Sequence, residues 1–367
     1  MPEGEKSVFV PPVRDDLVGQ HPYGAPVLDV PVRLNVNENP YPPSPALVAA
    51  LGESVRDVAA SLNRYPDRDA VALRRALADY LGHGLETQHV WAANGSNEVM
   101  AQLFLLFGGP GRRSLTFTPT YSMYPQYARD SFTEHIEVPM GPDMMLKTLS
   151  VVDAIERHRP ALVLIASPNN PTGVAAPLET IAAAERAAAQ RGGMVIVDEA
   201  YAEFRRDTTP SALTLLPDHT HLVVTRTMSK AFGFAGARVG YLAAHPATVA
   251  AVQLVRLPYH LSAVTQAVAR TALSFSSELL AQVDALREQR DALSTWLAGR
   301  GLEVPESDAN FLLVGKFPDR DLVWRSLVDQ GVLIRQTGPD HYLRMSVGTP
   351  AENDALRQAL DVVLTSS

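Results

Sequence analysis

The alternation of apolar and polar positions divides the chain into three parts. From residue 34 to about 262, short apolar runs typical of buried strands alternate with stretches in which apolar residues recur at helical spacing. The strand candidates are 90–92, 114–117, 135–138, 161–166, 194–197 and 222–225, and helix candidates among them are 44–62, 69–81, 99–107, 149–158 and 178–191. This order predicts an α/β fold, with a mostly parallel sheet flanked by helices.

The two ends of the chain follow different patterns. Residues 1–33 are rich in Pro and Gly with little periodicity, so we interpret them as an N-terminal arm. Helical spacing continues from 263 to 298, and the remainder mixes two helices with short strands near 311–314, 332–335 and 342–346. We therefore predict a large α/β domain of residues 34–262 and a small C-terminal α+β domain of residues 263–367, which the arm completes.

The amino-acid composition of the chain excludes several classes of protein. Of 367 residues, 46% are hydrophobic and 20% charged, and the longest apolar runs are too short for a membrane span. The first residues lack the order of a signal peptide, so we expect a cytoplasmic protein. The absence of cysteine excludes disulfides, thiolate metal sites and cysteine nucleophiles. A net charge of −8 argues against a nucleic-acid surface but leaves room for a local pocket that binds a small anion.

The segment after strand 222–225 concentrates unusual chemistry. Within a few residues it carries the hydroxyls of Thr227 and Ser229, the amine of Lys230, three glycines and Arg238. The hydroxyls and the forked guanidinium together suit an anion, whereas an amine among small apolar neighbours can lose its proton and attack a carbonyl. The other three lysines fit an ordinary surface position: Lys6 lies in a polar tail, Lys147 follows a Met-rich loop, and Lys316 precedes Phe-Pro-Asp-Arg.

Other candidate residues follow predicted strands. Ser96 and Asn97 lie in a Gly-Ser turn before a helix, which suits either a phosphate or an ordinary helix cap. Asn170 lies in a Pro- and Gly-rich turn after strand 161–166, where α/β sheets bind ligands. Asp198 ends an apolar strand, where a carboxylate is costly unless paired. With no His or Cys near it, we predict no metal site.

Taken in order, these motifs resemble a known family. They are Asn37-Glu38-Asn39-Pro40, Asn170-Pro171-Thr172-Gly173, Asp198 with Tyr201, Ser229-Lys230 followed by Arg238, and the run Leu343-Arg344-Met345-Ser346-Val347-Gly348-Thr349. From residue 35 to 348 the sequence resembles the fold-type I pyridoxal 5'-phosphate (PLP) aminotransferases, and among them the histidinol-phosphate aminotransferase family. The resemblance implies a fold-type I PLP transferase fold.

The resemblance also implies roles for individual residues. Lys230 would bind PLP covalently and move the substrate proton, Asp198 would pair with the pyridine nitrogen, and Tyr201 would act with them in catalysis. Asn170 and Tyr201 would contact the phenolic oxygen, and Tyr121 would stack on the ring. The phosphate would be held by Ser96, Asn97, Thr227, Ser229, Arg238 and, from the other subunit of a homodimer, Tyr65. Substrate would be bound by Tyr23, Asn37, Arg335 and Arg344. In this interpretation the pyridine nitrogen is the only plausible partner of the buried Asp198 carboxylate.

The implied reaction transfers an amino group between L-histidinol phosphate and 2-oxoglutarate, giving imidazole-acetol phosphate and glutamate, in histidine biosynthesis. Three alternatives remain open at this point. One is an aromatic amino-acid aminotransferase, an activity that close relatives of this family can have. Another is a PLP lyase of the same fold, although the two arginine candidates, Arg335 and Arg344, favour transfer. A PLP-sensing regulator would need a DNA-binding segment, and the arm is too short and too rich in proline for a helix-turn-helix.

Overall fold

The computed structural model describes residue 9, residues 11–22 and residues 24–365. Its strands there are β1 (Val32–Arg33), β2 (Val90–Ala93), β3 (Arg113–Thr118), β4 (Glu134–Pro139), β5 (Leu162–Ala166), β6 (Met194–Asp198), β7 (Leu222–Thr227), β8 (Gly240–Ala244), β9 (Phe311–Val314), β10 (Val332–Leu333) and β11 (Leu343–Ser346). Its helices are α1 (Pro45–Ala59), α2 (Val71–Leu81), α3 (Ser96–Phe107), α4 (Tyr124–Asp130), α5 (Thr148–His158), α6 (Leu178–Ala189), α7 (Pro246–Val252), α8 (Ala263–Ser274), α9 (Ser276–Ala298), α10 (Arg320–Asp329) and α11 (Pro350–Thr365).

A seven-stranded sheet forms the centre of the molecule, in the order β2-β8-β7-β6-β5-β3-β4. Strands β7, β6, β5, β3 and β4 run parallel to one another, while β8 is antiparallel to both of its neighbours. The parallel strands all end at one edge of the sheet. The predicted α/β architecture with a mostly parallel sheet is therefore confirmed.

Both faces of this sheet are covered, which explains the continuous apolar runs of its strands. Along β5, Val163 and Ile165 belong to the hydrophobic core on one face, together with α2, α5 and α6. Leu162 and Leu164 point to the opposite face, where they pack in a second core with α3 and α4. Alternate residues of one strand thus contribute to two cores.

A smaller part of the chain packs around a third core. Here β9 pairs antiparallel with β11, and β1 pairs in parallel with β10. Residue Leu34, just after β1, is buried in this core with residues of α9, α10 and α11. Helix α9 reaches both parts, because Leu279 and Leu286 are buried in the large core and Leu293 in the small one. The domain boundaries at 33 and 262 stay predictions.

The structure differs from the sequence-based expectation at several boundaries. The single helix expected over 263–298 is two helices, because Phe275 adopts φ −104° and ψ 15° between α8 and α9. Helix α2 begins at Val71, two residues later than expected, where the Asp67 carboxylate accepts a hydrogen bond from the Val71 N–H at 2.8 Å. Arg335 lies beyond β10, in an isolated bridge to Arg344.

The described residues contain neither a membrane-spanning helix nor a cluster of metal ligands. None of their helices combines the length and the apolar character needed to cross a membrane. Likewise, no three His, Cys, Asp or Glu side chains in this part of the chain are grouped as metal ligands would be.

Candidate active site

A cavity of about 320 Å³ opens at the carboxyl edge of the sheet. Ala166, Asp198 and Thr227, the last residues of β5, β6 and β7, all line it. The segment after β1 and the residues Arg335 and Arg344 close it from the side of the small core. Apart from Tyr23 and Tyr65, every residue predicted for the site lines this cavity: Asn37, Ser96, Asn97, Tyr121, Asn170, Asp198, Tyr201, Thr227, Ser229, Lys230, Arg238, Arg335 and Arg344.

Lys230 has surroundings unlike those of the other described lysines. Its Nζ donates a hydrogen bond to the Val36 carbonyl at 3.0 Å. Burial, together with the charges of Arg344 and Arg238, lowers the pKa of Lys230 to about 8, while the charge of Glu38 opposes this shift. By contrast, Lys147 and Lys316 have side chains 61% and 73% exposed and form surface ion pairs. At neutral pH, Lys230 therefore offers far more free amine than an ordinary lysine.

Asp198 is a buried residue of the cavity lining. Burial raises the pKa of its carboxyl to about 6, against the opposing effect of hydrogen bonds from Tyr124 and Thr225. The Tyr124 hydroxyl donates to Oδ2 at 3.0 Å, and the Thr225 hydroxyl donates to Oδ1 at 3.3 Å. The expectation that Asp198 has one plausible partner, a pyridine nitrogen, is therefore wrong. A carboxylate has about four acceptor sites, so it still has room for a further donor.

Tyr124 is a residue of this site that the sequence reasoning missed. It is fully buried at the start of α4, and its ring meets that of Tyr121 edge to face, with centroids 5.5 Å apart. The signal was present in the sequence, because Tyr121 and Tyr124 are three residues apart and helical spacing places such residues on one side. Tyr124 thus links the aromatic wall of the cavity to its buried carboxylate.

Another part of the cavity lining has the chemistry of an anion site. Helix α3 begins at Ser96, so free N–H groups and the positive end of its dipole face the cavity. Gly95 has φ +83°, and a Cβ there would lie 2.5 Å from a guanidinium nitrogen of Arg238. This close approach holds the arginine against the start of α3. The hydroxyls of Thr227 and Ser229 are hydrogen-bonded to each other at 2.9 Å beside it.

The segment after β1 connects the two sides of the cavity. The Asn37 side chain donates to the Tyr201 hydroxyl at 3.1 Å and accepts from the Ser346 hydroxyl at 2.9 Å. Arg344 donates to Asn170 Oδ1 at 2.6 Å. Asn37 and Arg344 therefore tie residues at the ends of β5 and β6 to strand β11.

The three remaining predicted site residues are Arg335, Tyr65 and Tyr23. Arg335 contacts the Gly24 carbonyl at 3.4 Å and is partly exposed at the cavity rim. Tyr65 is 79% exposed and stacks on Tyr259, with ring centroids 4.4 Å apart, away from the cavity of its own chain. Tyr23 lies outside the described residues.

Known proteins similar to this chain identify its family. The family model for aminotransferase class I and II matches residues 30–360. The chain belongs to this family of aminotransferases. It is 58% identical over 349 residues to the histidinol-phosphate aminotransferase of Thermobifida fusca (strain YX), covering 95% of this chain and 94% of the relative. It is 57% identical over 361 residues to that of Frankia casuarinae, covering 97% and 91%.

A solved aminotransferase has the same fold. The histidinol-phosphate aminotransferase of Sinorhizobium meliloti, determined in complex with pyridoxal 5'-phosphate, superposes with a TM-score of 0.82 at 27% identity. The match covers 92% of each chain. The α/β architecture of the present aminotransferase is therefore that of a fold-type I PLP enzyme.

Several other residues of the aminotransferase cavity were not singled out from the sequence. Asn35, Val36 and Glu38 lie beside Asn37 in or next to the Asn-Glu-Asn-Pro motif. The motif indicated that this segment belongs to the site, but not which of its residues line the cavity. Thr120 also lines the cavity, and its hydroxyl donates to Asn169 at 2.8 Å. The sequence predicted a role only for its neighbour Tyr121, because an aromatic side chain can stack on a ring and a threonine cannot.

Proposed function

We propose that this aminotransferase transfers the amino group between L-histidinol phosphate and 2-oxoglutarate, giving imidazole-acetol phosphate and glutamate in histidine biosynthesis. We further propose that it uses PLP bound to Lys230 and acts as a homodimer. Its substrates would be a phosphate monoester and a dicarboxylate, which do not cross membranes freely, so we place it in the cytoplasm.

One observation carries the proposal. A single cavity brings the Lys230 amine within electrostatic reach of two separate arginines, Arg238 and Arg344. The first lies at the start of α3, where a cofactor phosphate fits, and the second lies beside Arg335, where the acidic group of a substrate fits. Relatives at 57–58% identity named as histidinol-phosphate aminotransferases support the same substrate.

The residues present fit PLP. Ser96, Asn97, Thr227, Ser229 and Arg238 would hold its phosphate, and the Cβ-free surface of Gly95 lets Arg238 approach. Asp198 would face the ring nitrogen, Asn170 and Tyr201 the phenolic oxygen, and Tyr121 the ring. When bound, PLP supplies an electron sink for the bond that breaks at the substrate Cα.

The chain's own groups carry the remaining steps. The Nζ of Lys230, with its lowered pKa, is suited to take the proton from the substrate Cα and return it to the neighbouring reacting carbon. Arg344 and Arg335 would hold the phosphate or carboxylate of the substrate so that the Cα–H bond is correctly oriented. Asn37 would close the cavity over the substrate and exclude water, because it bonds to residues on both sides.

Exposed apolar residues support the homodimer. Tyr65, Leu254, Leu257 and Tyr259 are large side chains that remain 41–82% exposed in the isolated chain. Tyr65 and Tyr259 are stacked, so at least two of them form one continuous surface. In the proposed dimer, Tyr65 of the partner copy would contribute its hydroxyl to the cofactor phosphate.

A panel of amino donors tests the proposal. Purified protein loaded with PLP is assayed with 2-oxoglutarate and either L-histidinol phosphate, L-phenylalanine or L-tyrosine. We expect the highest kcat/KM for histidinol phosphate, because two arginines offer more positive charge than one carboxylate needs. A higher kcat/KM for phenylalanine would refute the proposed donor and favour an aromatic amino-acid aminotransferase.

A further inference from the structure

Glu38 differs from the other charged side chains that line the cavity. The others all make hydrogen bonds within the protein: Lys230 with Val36, Asp198 with Tyr124 and Thr225, Arg238 with Ala235, Arg335 with Gly24, and Arg344 with Asn170 and Asn35. Within the part of the chain that the structure describes, the Glu38 carboxylate makes no hydrogen bond or ion pair. It is exposed to the solvent of the cavity mouth.

The backbone around Glu38 is nevertheless fixed. Asn310 donates to the Asn37 carbonyl at 3.1 Å, and Asn39 donates to the Ala231 carbonyl at 3.1 Å. The residue before Asn37, Val36, accepts the hydrogen bond of Lys230. The Glu38 carboxylate, which has no partner among the described residues, therefore belongs to a segment that is held in place by hydrogen bonds and that also contacts the Lys230 amine.

The charge of Glu38 reaches the reacting centre. Glu38 raises the pKa of Lys230 and so favours its protonated form, whereas burial and the two arginines lower that pKa. The other acidic group of the cavity, Asp198, is buried and already accepts hydrogen bonds from Tyr124 and Thr225. Glu38 is thus the carboxylate available to a substrate group near the mouth.

The proposed donor has three polar parts. Its phosphate suits Arg335 and Arg344, and its amine reacts beside Lys230. The third part is an imidazole ring, which presents one N–H when neutral and two when protonated, with an ordinary pKa near 6.5. A carboxylate is the strongest acceptor for such a donor.

We propose that Glu38 is a specificity residue, whose carboxylate accepts a hydrogen bond from an imidazole N–H of the amino donor. The inference rests on the proposed function and extends it to the ring of the substrate. It explains how one cavity distinguishes an imidazole from a phenyl ring of similar size, because the phenyl ring leaves the carboxylate without a donor. Lys230 and the arginines cannot make this distinction, because they recognise the amine and the acidic group, and other amino donors carry these groups or close equivalents.

The experiment measures kcat/KM of the PLP-loaded enzyme for L-histidinol phosphate, L-histidine and L-phenylalanine. Histidine and phenylalanine differ only in the ring, so their ratio isolates ring recognition from phosphate recognition. In Glu38→Ala we expect the histidine-to-phenylalanine ratio and the histidinol phosphate-to-phenylalanine ratio both to fall about ten- to a hundredfold. Glu38→Gln retains a neutral acceptor and is expected to show a smaller fall in both ratios.

Two variants serve as controls. Glu53→Gln removes an exposed charge from α1, which does not line the cavity, and should leave both ratios unchanged. Arg335→Ala should lower the histidinol phosphate-to-phenylalanine ratio without changing the histidine-to-phenylalanine ratio, because those two substrates share a carboxylate. Removing Glu38 also lowers the pKa of Lys230, but that effect acts on every donor and cancels in a ratio.

The outcomes separate the inference from the proposed function. If wild type prefers phenylalanine to histidinol phosphate, the proposed function fails, and the histidine-to-phenylalanine ratio still tests Glu38. If that ratio is the same in wild type and Glu38→Ala, the inference is overturned whatever the preferred donor. A fall in both imidazole-to-phenyl ratios supports it.

Discussion

Tyr124→Phe is expected to shift the ionisation of Asp198 while leaving the packing of α4 intact. The substitution removes one oxygen atom, whose hydroxyl donates a 3.0 Å hydrogen bond to the buried carboxylate. A hydrogen bond to a charged group contributes about 1.5–3 kcal/mol, which corresponds to roughly one to two pKa units. The pKa of Asp198, about 6 in the native protein, should therefore rise to about 7–8 in the variant.

The consequence can be measured on the protein without cofactor. The pKa of Asp198 is raised from 3.8 to about 6 on folding, so the folded state prefers the protonated carboxyl. This contribution to stability is fully present below about pH 4 and is lost as the pH rises through about 6. A shift of this size corresponds to about 3 kcal/mol in the free energy of unfolding. In Tyr124→Phe the loss should continue to about pH 7–8.

Urea unfolding of the cofactor-free protein between pH 4.5 and 8.5 is the appropriate assay. Asp198→Asn provides the baseline, because it removes the titrating group while retaining the shape of the side chain. The difference between each protein and Asp198→Asn gives the profile that belongs to this carboxyl. If the profile of Tyr124→Phe coincides with that of wild type, the Tyr124 hydroxyl does not determine the ionisation of Asp198, and our reasoning is refuted.

Three further predictions concern the Lys230 amine and the subunit contact. Borohydride reduction of the PLP-loaded protein, followed by peptide mapping, should place the label on Lys230, because its lowered pKa leaves the amine free; a label on Lys6, Lys147 or Lys316 would show that another lysine binds the cofactor. Lys230→Ala should retain the fold, as judged by circular dichroism, while losing turnover. Mixing Lys230→Ala with Tyr65→Ala, each nearly inactive alone, should restore part of the wild-type activity in hybrid dimers, since one of the two sites then has both residues. Full activity of a monomer in light scattering and enzyme assays would contradict the shared site.

Much of the fold follows from local patterns in the sequence. Runs such as 194–197 and 222–225 are short and fully apolar, and each is followed by a polar turn with chemistry of its own. These two signals together predict a parallel sheet with ligand groups at one edge, because parallel strands end on the same side. That Lys230 lines the cavity was also predictable, because it follows a buried strand among hydroxyls and glycines, whereas an ordinary surface position fits the other three lysines.

What the sequence did not reveal depends on contacts between distant residues. The break at Phe275 interrupts a helical pattern without Gly or Pro, because α8 packs on α1 while α9 extends toward β9. The partnership of Tyr124 with Asp198 joins residues 74 positions apart. Periodicity describes which face of a helix is apolar, but it cannot identify the group that a buried hydroxyl meets.

The bond between Asn37 and Ser346 has a consequence for the time at which the protein becomes functional. These residues are 309 positions apart, and strand β1 likewise finds its partner β10 near the other end of the chain. A ribosome adds about 5–20 residues per second, so the N-terminal segment waits on the order of half a minute for its partners. During that interval the central sheet can fold, but the cavity has no wall on the side of Arg344. The cavity therefore cannot be complete until the chain has been synthesised past Ser346, and a chain that stops before this residue has no complete cavity.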